Sequence, residues 1–138
     1  MDAGTRRLVR QRARDCCEYC RLSQQAAPVA AFQVEHIRAK QHHGEDRLEN
    51  LALACPRCNL FKGPNLSAID PESGQVVLVF NPREQHWDDH FEIIGFHIVG
   101  KSPCGRATVS LLQMNEEPRV EARKQVALSE EDFEFDKE

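Results

Sequence analysis

A chain of 138 residues supports a single hydrophobic core, and no break in composition argues for two independent domains. Its longest apolar runs fall far short of a membrane span and its Arg-rich start lacks an apolar leader, so a soluble, cytoplasmic protein with no membrane partner is expected. The formal charge of −4 by itself disfavours a nucleic-acid partner, but residues 1–65 carry 11 Lys/Arg against 7 Asp/Glu while residues 66–138 carry 7 against 15. Phosphate attraction follows the local field, so the first half can still bind a polyanion.

In chain order, TRRLVRQRARD (residues 5–15) holds strong helix formers without Gly or Pro and predicts a helix. Its arginines form a basic face that is either simply solvated or in contact with phosphate. Arg10 and Arg14, one turn apart, are the best placed for such contact. A small, polar connector containing Pro28 follows Cys20.

Phe32 to Ile37 alternates like a strand and sets Glu35 and His36 on opposite faces. A metal ligand and a base at these two positions can cooperate only where the strand ends or twists, and the polar run from Arg38 supplies that ending. Leu51 to Ala54 reads as a second short strand. Pro56 suits the first turn of a helix through Cys58, Asn59 and Lys62 that stops at Gly63-Pro64.

Further on, Gln75 to Phe80 reads as a strand. Phe91 to Val99 reads as another, with Gly95 suggesting a bulge or a close backbone approach. Helices are expected over Arg106 to Met114 and Glu117 to Leu128. The expected organisation is one domain over residues 1–128 with its motif core at 17–65, followed by an acidic, mobile tail at 129–138.

Four of the six cysteines form two C-x2-C pairs, Cys17/Cys20 and Cys55/Cys58, with 34 residues between them. In an intracellular chain such pairs are better read as Zn2+ ligands than as disulfides, with a redox dithiol as the alternative. Cys16 and Cys104 are left over as packed or idle thiols. The carboxylate of Glu35 and the amide oxygen of Asn59 make a hard ligand set that suits Mg2+ or Mn2+. His36 beside them can take a proton from water near neutral pH. Lys62 is either an added positive charge at a phosphate or a solvated helix lysine. His86 and His90 have metalloprotease spacing but lack the glutamate after the first histidine, so packing around Trp87 is the better reading.

The order EHI, then Asn50-Leu51, then CPRCN, then Lys62 resembles the HNH endonucleases with their ββα-metal motif, over roughly Cys17 to Lys62. The resemblance implies an α+β fold: a ββα core stapled by four cysteines around zinc, with additional strands and helices in the C-terminal half. It implies His36 as general base, Glu35 and Asn59 as ligands of a catalytic divalent ion, and Asn50 as the residue that holds the loop and orients the base. Glu35 stands where many members have Asp, and Asn59 where many have His. Downstream, FNPREQHWDDHF is also similar to a bacterial HNH subfamily, which allows Arg83 a role in gripping phosphate. His42-His43-Gly44 occupies a loop that is often Gly-rich in the family, where either histidine simply faces solvent or has a catalytic or phosphate role. The expected activity is metal-dependent hydrolysis of phosphodiester bonds in DNA. The competing expectation is a non-catalytic, zinc-stapled module that binds nucleic acid or protein.

Overall fold

The computed structural model describes residues 1–27 and 30–136, with side chains through residue 129. Helix α1 spans Ala3–Ala13. Asp2 caps it, its Oδ1 accepting from Thr5 N at 2.7 Å, which satisfies one of the amides that a helix start leaves without a partner. The helix ends where Arg14 and Asp15 both take left-handed backbone angles, turning the chain into the first cysteine pair.

Strand β1 (Gln33–His36) pairs antiparallel with β2 (Leu51–Ala54), setting Glu35 opposite Ala52 and His36 opposite Leu51. Helix α2 (Pro56–Lys62) follows at once, with Pro56 in its first turn and Gly63 at its end. The two strands and α2 therefore form as the alternation, the proline and the glycine predict. All four residues of β2 are buried. Among the described residues this sheet has two strands, and β1 keeps one open edge.

The C-terminal half packs onto this unit. Strands β3 (Ser67–Ile69) and β4 (Val76–Leu78) form a hairpin, so the strand expected over Gln75 to Phe80 is shorter than anticipated and gains an unforeseen partner. The segment expected as one strand from Phe91 to Val99 is instead two, β5 (Phe91–Ile94) and β6 (His97–Gly100), paired antiparallel. Gly95 and Phe96 both have positive φ, the geometry of a tight hairpin turn and not of a bulge. Between the hairpins lies the short helix α3 (Trp87–His90).

Helix α4 spans Pro103–Leu112, capped by Ser102, and α5 spans Glu117–Asp136. Helix α5 thus continues past Leu128 through most of the segment expected to be a mobile tail. Residues 137–138 of that segment, like Pro28 of the connector, lie outside the described residues.

One core joins the halves. Val9, Tyr19, Phe32, Leu51 and Leu53 meet Phe80, Phe91, Ile98, Leu112 and Met114 in a single buried cluster. The rings of Phe80 and Trp87 each lie 5.1 Å from Phe91, a contact worth about 0.5–1.5 kcal/mol per pair beyond area burial. Trp87 Nε1 also donates to Tyr19 O at 2.7 Å, so α3 is fastened to the backbone of the first cysteine knuckle. His90 bonds Ser102 Oγ at 2.6 Å and stacks edge-on against Phe80, the packing role expected around Trp87.

Candidate active site and metal centre

Cys17, Cys20, Cys55 and Cys58 converge, their four sulfurs within 4.8 Å of one another and all four residues buried. A tetrahedral ion with Zn–S bonds of about 2.3 Å requires sulfurs about 3.8 Å apart, and Cys20 Sγ lies 3.7 Å from Cys55 Sγ. The donor set fits a structural Zn2+ closed to solvent. Local structure prepares the thiolates: Cys55 is the N-cap of α2, its sulfur accepting from Cys58 N at 3.4 Å. The helix N-terminus favours negative charge there. Cys16 and Cys104 stand outside the cluster.

Arg119 of α5 reaches this centre from the C-terminal half. It is 5% exposed, its Nη2 donates to Cys58 Sγ at 2.7 Å, and its Nη1 donates to Leu112 O at 2.6 Å. Four thiolates around a divalent ion leave two negative charges in a buried place, and the guanidinium offsets part of that charge. Nothing in the local sequence marks Arg119 for this role.

The second constellation sits at the open edge of β1. A shallow cavity of about 530 Å3 there is lined by Glu35, His36, Lys40, Asn59 and Gly63 among others. Glu35 and His36 do point to opposite faces of the strand. They meet at the same cavity because no third strand covers the edge and the strand stops at His36. Asn59, half-buried in α2, completes this wall, and its side-chain amide makes no hydrogen bond among the described residues.

His36 Nε2 donates to Asp46 Oδ1 at 2.6 Å, since a carboxylate can only accept. The tautomer this fixes leaves Nδ1 free to take a proton. The bond from His36, helped by Lys40, holds the Asp46 carboxyl below the usual carboxylate range. Nothing in the sequence singles out Asp46, which lies in an ordinary polar loop ten residues from its partner.

Asn50 clamps that loop. Its Oδ1 accepts from Arg38 N at 2.9 Å, and its Nδ2 donates to Arg38 O at 3.1 Å and to Glu45 O at 2.9 Å. A Cβ on Gly44 would come within 1.7 Å of Arg38 O, so only glycine lets the loop fold this tightly. His42 and His43 are exposed on it.

Glu35 faces inward and is 7% exposed. It accepts a very short hydrogen bond from Tyr19 Oη, and its Oε2 lies 3.1 Å from Lys62 Nζ. Burial raises the Glu35 carboxyl, while Lys62 and Tyr19 pull it back down. Burial and the nearby carboxylate push the Tyr19 phenol up, so Tyr19 remains the donor. Lys62 is 2% exposed and also donates to Ile37 O at 2.9 Å. The structure therefore places Lys62 inside, bracing Glu35 and the strand end, and neither solvated nor at a surface phosphate. Tyr19 belongs to the zinc knuckle and touches Glu35, a link that sequence separation hides.

Arginines also brace the fold around this site. Arg83 is paired with Glu18 and is not available as a phosphate grip. Arg10 donates to Phe32 O at 2.5 Å and Arg12 to Leu51 O at 2.6 Å, so α1 is clamped to the hairpin by two of its basic residues. Arg14 lies in the exposed turn that ends α1. A cavity of about 760 Å3 lies between the end of α1 and Trp87, lined by none of His36, Asn50 and Asn59.

The chain thus combines a ββα unit, a buried four-cysteine cluster suited to zinc, and an open edge cavity that brings a histidine and an asparagine together. Residues 17–65, about a third of this mixed α/β chain, match the family model described as HNH endonuclease. The family is one of nucleases acting on nucleic acid. No curated protein matches the chain, and no solved structure matches it. No helix among the described residues is long and apolar enough to cross a membrane.

Proposed function

We propose that the protein is a metal-dependent endonuclease of the cytoplasm that hydrolyses phosphodiester bonds in DNA, with residues 1–128 acting as one domain. The observation that carries this reading is the meeting of His36, Glu35 and Asn59 at one open cavity. His36 Nδ1 takes the proton from the attacking water, Asp46 holds the imidazole in that tautomer, and Asn50 keeps the loop that carries Asp46 in place.

Glu35 and Asn59 offer oxygen donors of the kind Mg2+ or Mn2+ takes. Such an ion, when bound, supplies charge stabilisation for the leaving oxygen. Lys62 already neutralises Glu35, so the carboxylate is shared between an ammonium and the ion, and a high working metal concentration is expected. The same Lys62–Glu35 pair favours the second reading, a zinc-stapled module that binds without cutting.

A plasmid-nicking assay decides between them. Nicking that requires added Mg2+ or Mn2+ and stops on chelation supports the nuclease. Intact plasmid with either metal, by a zinc-loaded protein that binds DNA, supports the module.

A further inference from the structure

A second cavity, about 440 Å3, flanks His36 on its other side, lined by Arg6, Arg10, Phe32, Val34, Lys40 and Asp46 among others. Val34, His36 and Lys40 belong to both cavities. The two are therefore halves of one trough along the open edge of β1, with His36 near its middle, Asn59 towards one end and α1 at the other.

Two of the cations that line this trough are matched by no carboxylate among the described residues. Arg57, Arg83, Arg106 and Arg119 are each paired with a carboxylate. Arg6 and Arg10 have no ion pair among the described residues, and neither do their neighbours Arg7 and Arg14. Arg6 and Arg10 are one helical turn apart and share a face. The carboxylates that reach the trough are already engaged, Asp46 by His36 and Lys40 and Glu35 by Lys62. Unmatched guanidiniums in a concave site focus a positive field towards its ligand. Phe32 lines the trough but is buried, so among the described residues no phenylalanine, tyrosine or tryptophan is exposed there to stack a base, and the field acts on the backbone.

We propose that the trough is the track for one strand of DNA, in which Arg6, Arg10 and Lys40 hold phosphates to one side of the scissile bond. It deepens the nuclease reading by assigning the strand's path and the phosphate subsite, and makes recognition on that side independent of sequence. Arg10 has a second task at Phe32 O, so Arg6 and Lys40 are the residues to test.

The experiment measures binding of a short DNA duplex to the full chain over a salt series, without added Mg2+ or Mn2+. The comparison is between wild type, Arg6→Gln, Lys40→Gln and Arg7→Gln, the last lying outside the trough. Arg6→Gln and Lys40→Gln are each expected to weaken binding and to lower the slope of log affinity against log salt by about 0.7–0.9, one phosphate contact. Arg7→Gln is expected to leave the slope unchanged. An unchanged slope in Arg6→Gln, an equal drop in Arg7→Gln, or no binding by wild type at low salt overturns the proposal. The nuclease reading fails separately: a protein that shows these slope changes and never cuts keeps the track and loses the catalysis.

Discussion

The two faces of the β1–β2 hairpin are built on opposite principles. On the inner face the buried charges are matched: Glu35 with Lys62 and Tyr19, the cysteine cluster with Arg119. On the outer edge His36, Asn59, Arg6 and Arg10 keep donor or acceptor capacity in reserve beside an open trough. Buried charge is tolerated only when paired and hydrogen-bonded, so the inner face serves the fold. Capacity left unused at a solvent-facing edge costs little and is available to a ligand. The lesson is that neighbouring residues of one strand, Glu35 and His36, belong to different economies of interaction and should fail differently when altered.

The largest failure is expected on the inner face. Cys20→Ser removes one of four ligands from a centre that substitutes for core, and the protein should unfold or aggregate with loss of its zinc. Elemental analysis should find about one zinc per wild-type chain. A well-folded, metal-free variant would break the comparison at its root.

Asn59→Ala probes where the two faces meet. It should keep fold and zinc but require more Mg2+ or Mn2+ for a given rate, with partial recovery at excess metal. Acid should act in the same direction on the wild type. Because burial raises the Glu35 carboxyl, it takes up a proton at a higher pH than an ordinary carboxylate and loses its ability to hold a cation. The metal requirement should therefore steepen as pH falls towards the carboxylate range, and a metal requirement independent of pH there would remove Glu35 from the ligand set.

On the outer edge, Asp46→Asn should lower the rate by about ten- to a hundredfold, the usual cost of removing the partner that orients a functional histidine. Asn50→Ala should give a partial loss of activity together with about 1–3 kcal/mol of stability, because backbone groups of Arg38 and Glu45 lose their partner. Wild-type activity in Asn50→Ala would take the loop clamp out of the mechanism. Smallest of all, Cys104→Ser should be nearly silent in both stability and zinc content, since this thiol lies outside the cluster.

Much of this arrangement is legible in the sequence, wherever local chemistry decides the outcome. Alternation at Phe32 to Ile37, Pro56 in the first turn and Gly63 at the stop mark β1 and α2, and the two C-x2-C pairs mark the metal centre. What escapes is pairing across the chain. Tyr19, Glu35 and Lys62 meet only in three dimensions, and each looks ordinary in its own stretch. Arg119 is one arginine of a mixed helix until α5 brings it to Cys58. The turn at Gly95-Phe96 is missed because phenylalanine is a poor signal for positive φ, and β3 because three residues carry no period.

The central claim is that His36, on the open edge, is the general base, while the inner face holds the fold and lends only Glu35 to the divalent ion. Cleavage of plasmid DNA by purified wild type and His36→Ala, at neutral pH with Mg2+ or Mn2+, tests it most directly. The account predicts that His36→Ala keeps its fold, its zinc and its DNA affinity while the rate falls by roughly a hundred- to ten-thousandfold, the contribution of a positioned base. Undiminished metal-dependent cleavage by the folded His36→Ala protein would contradict it.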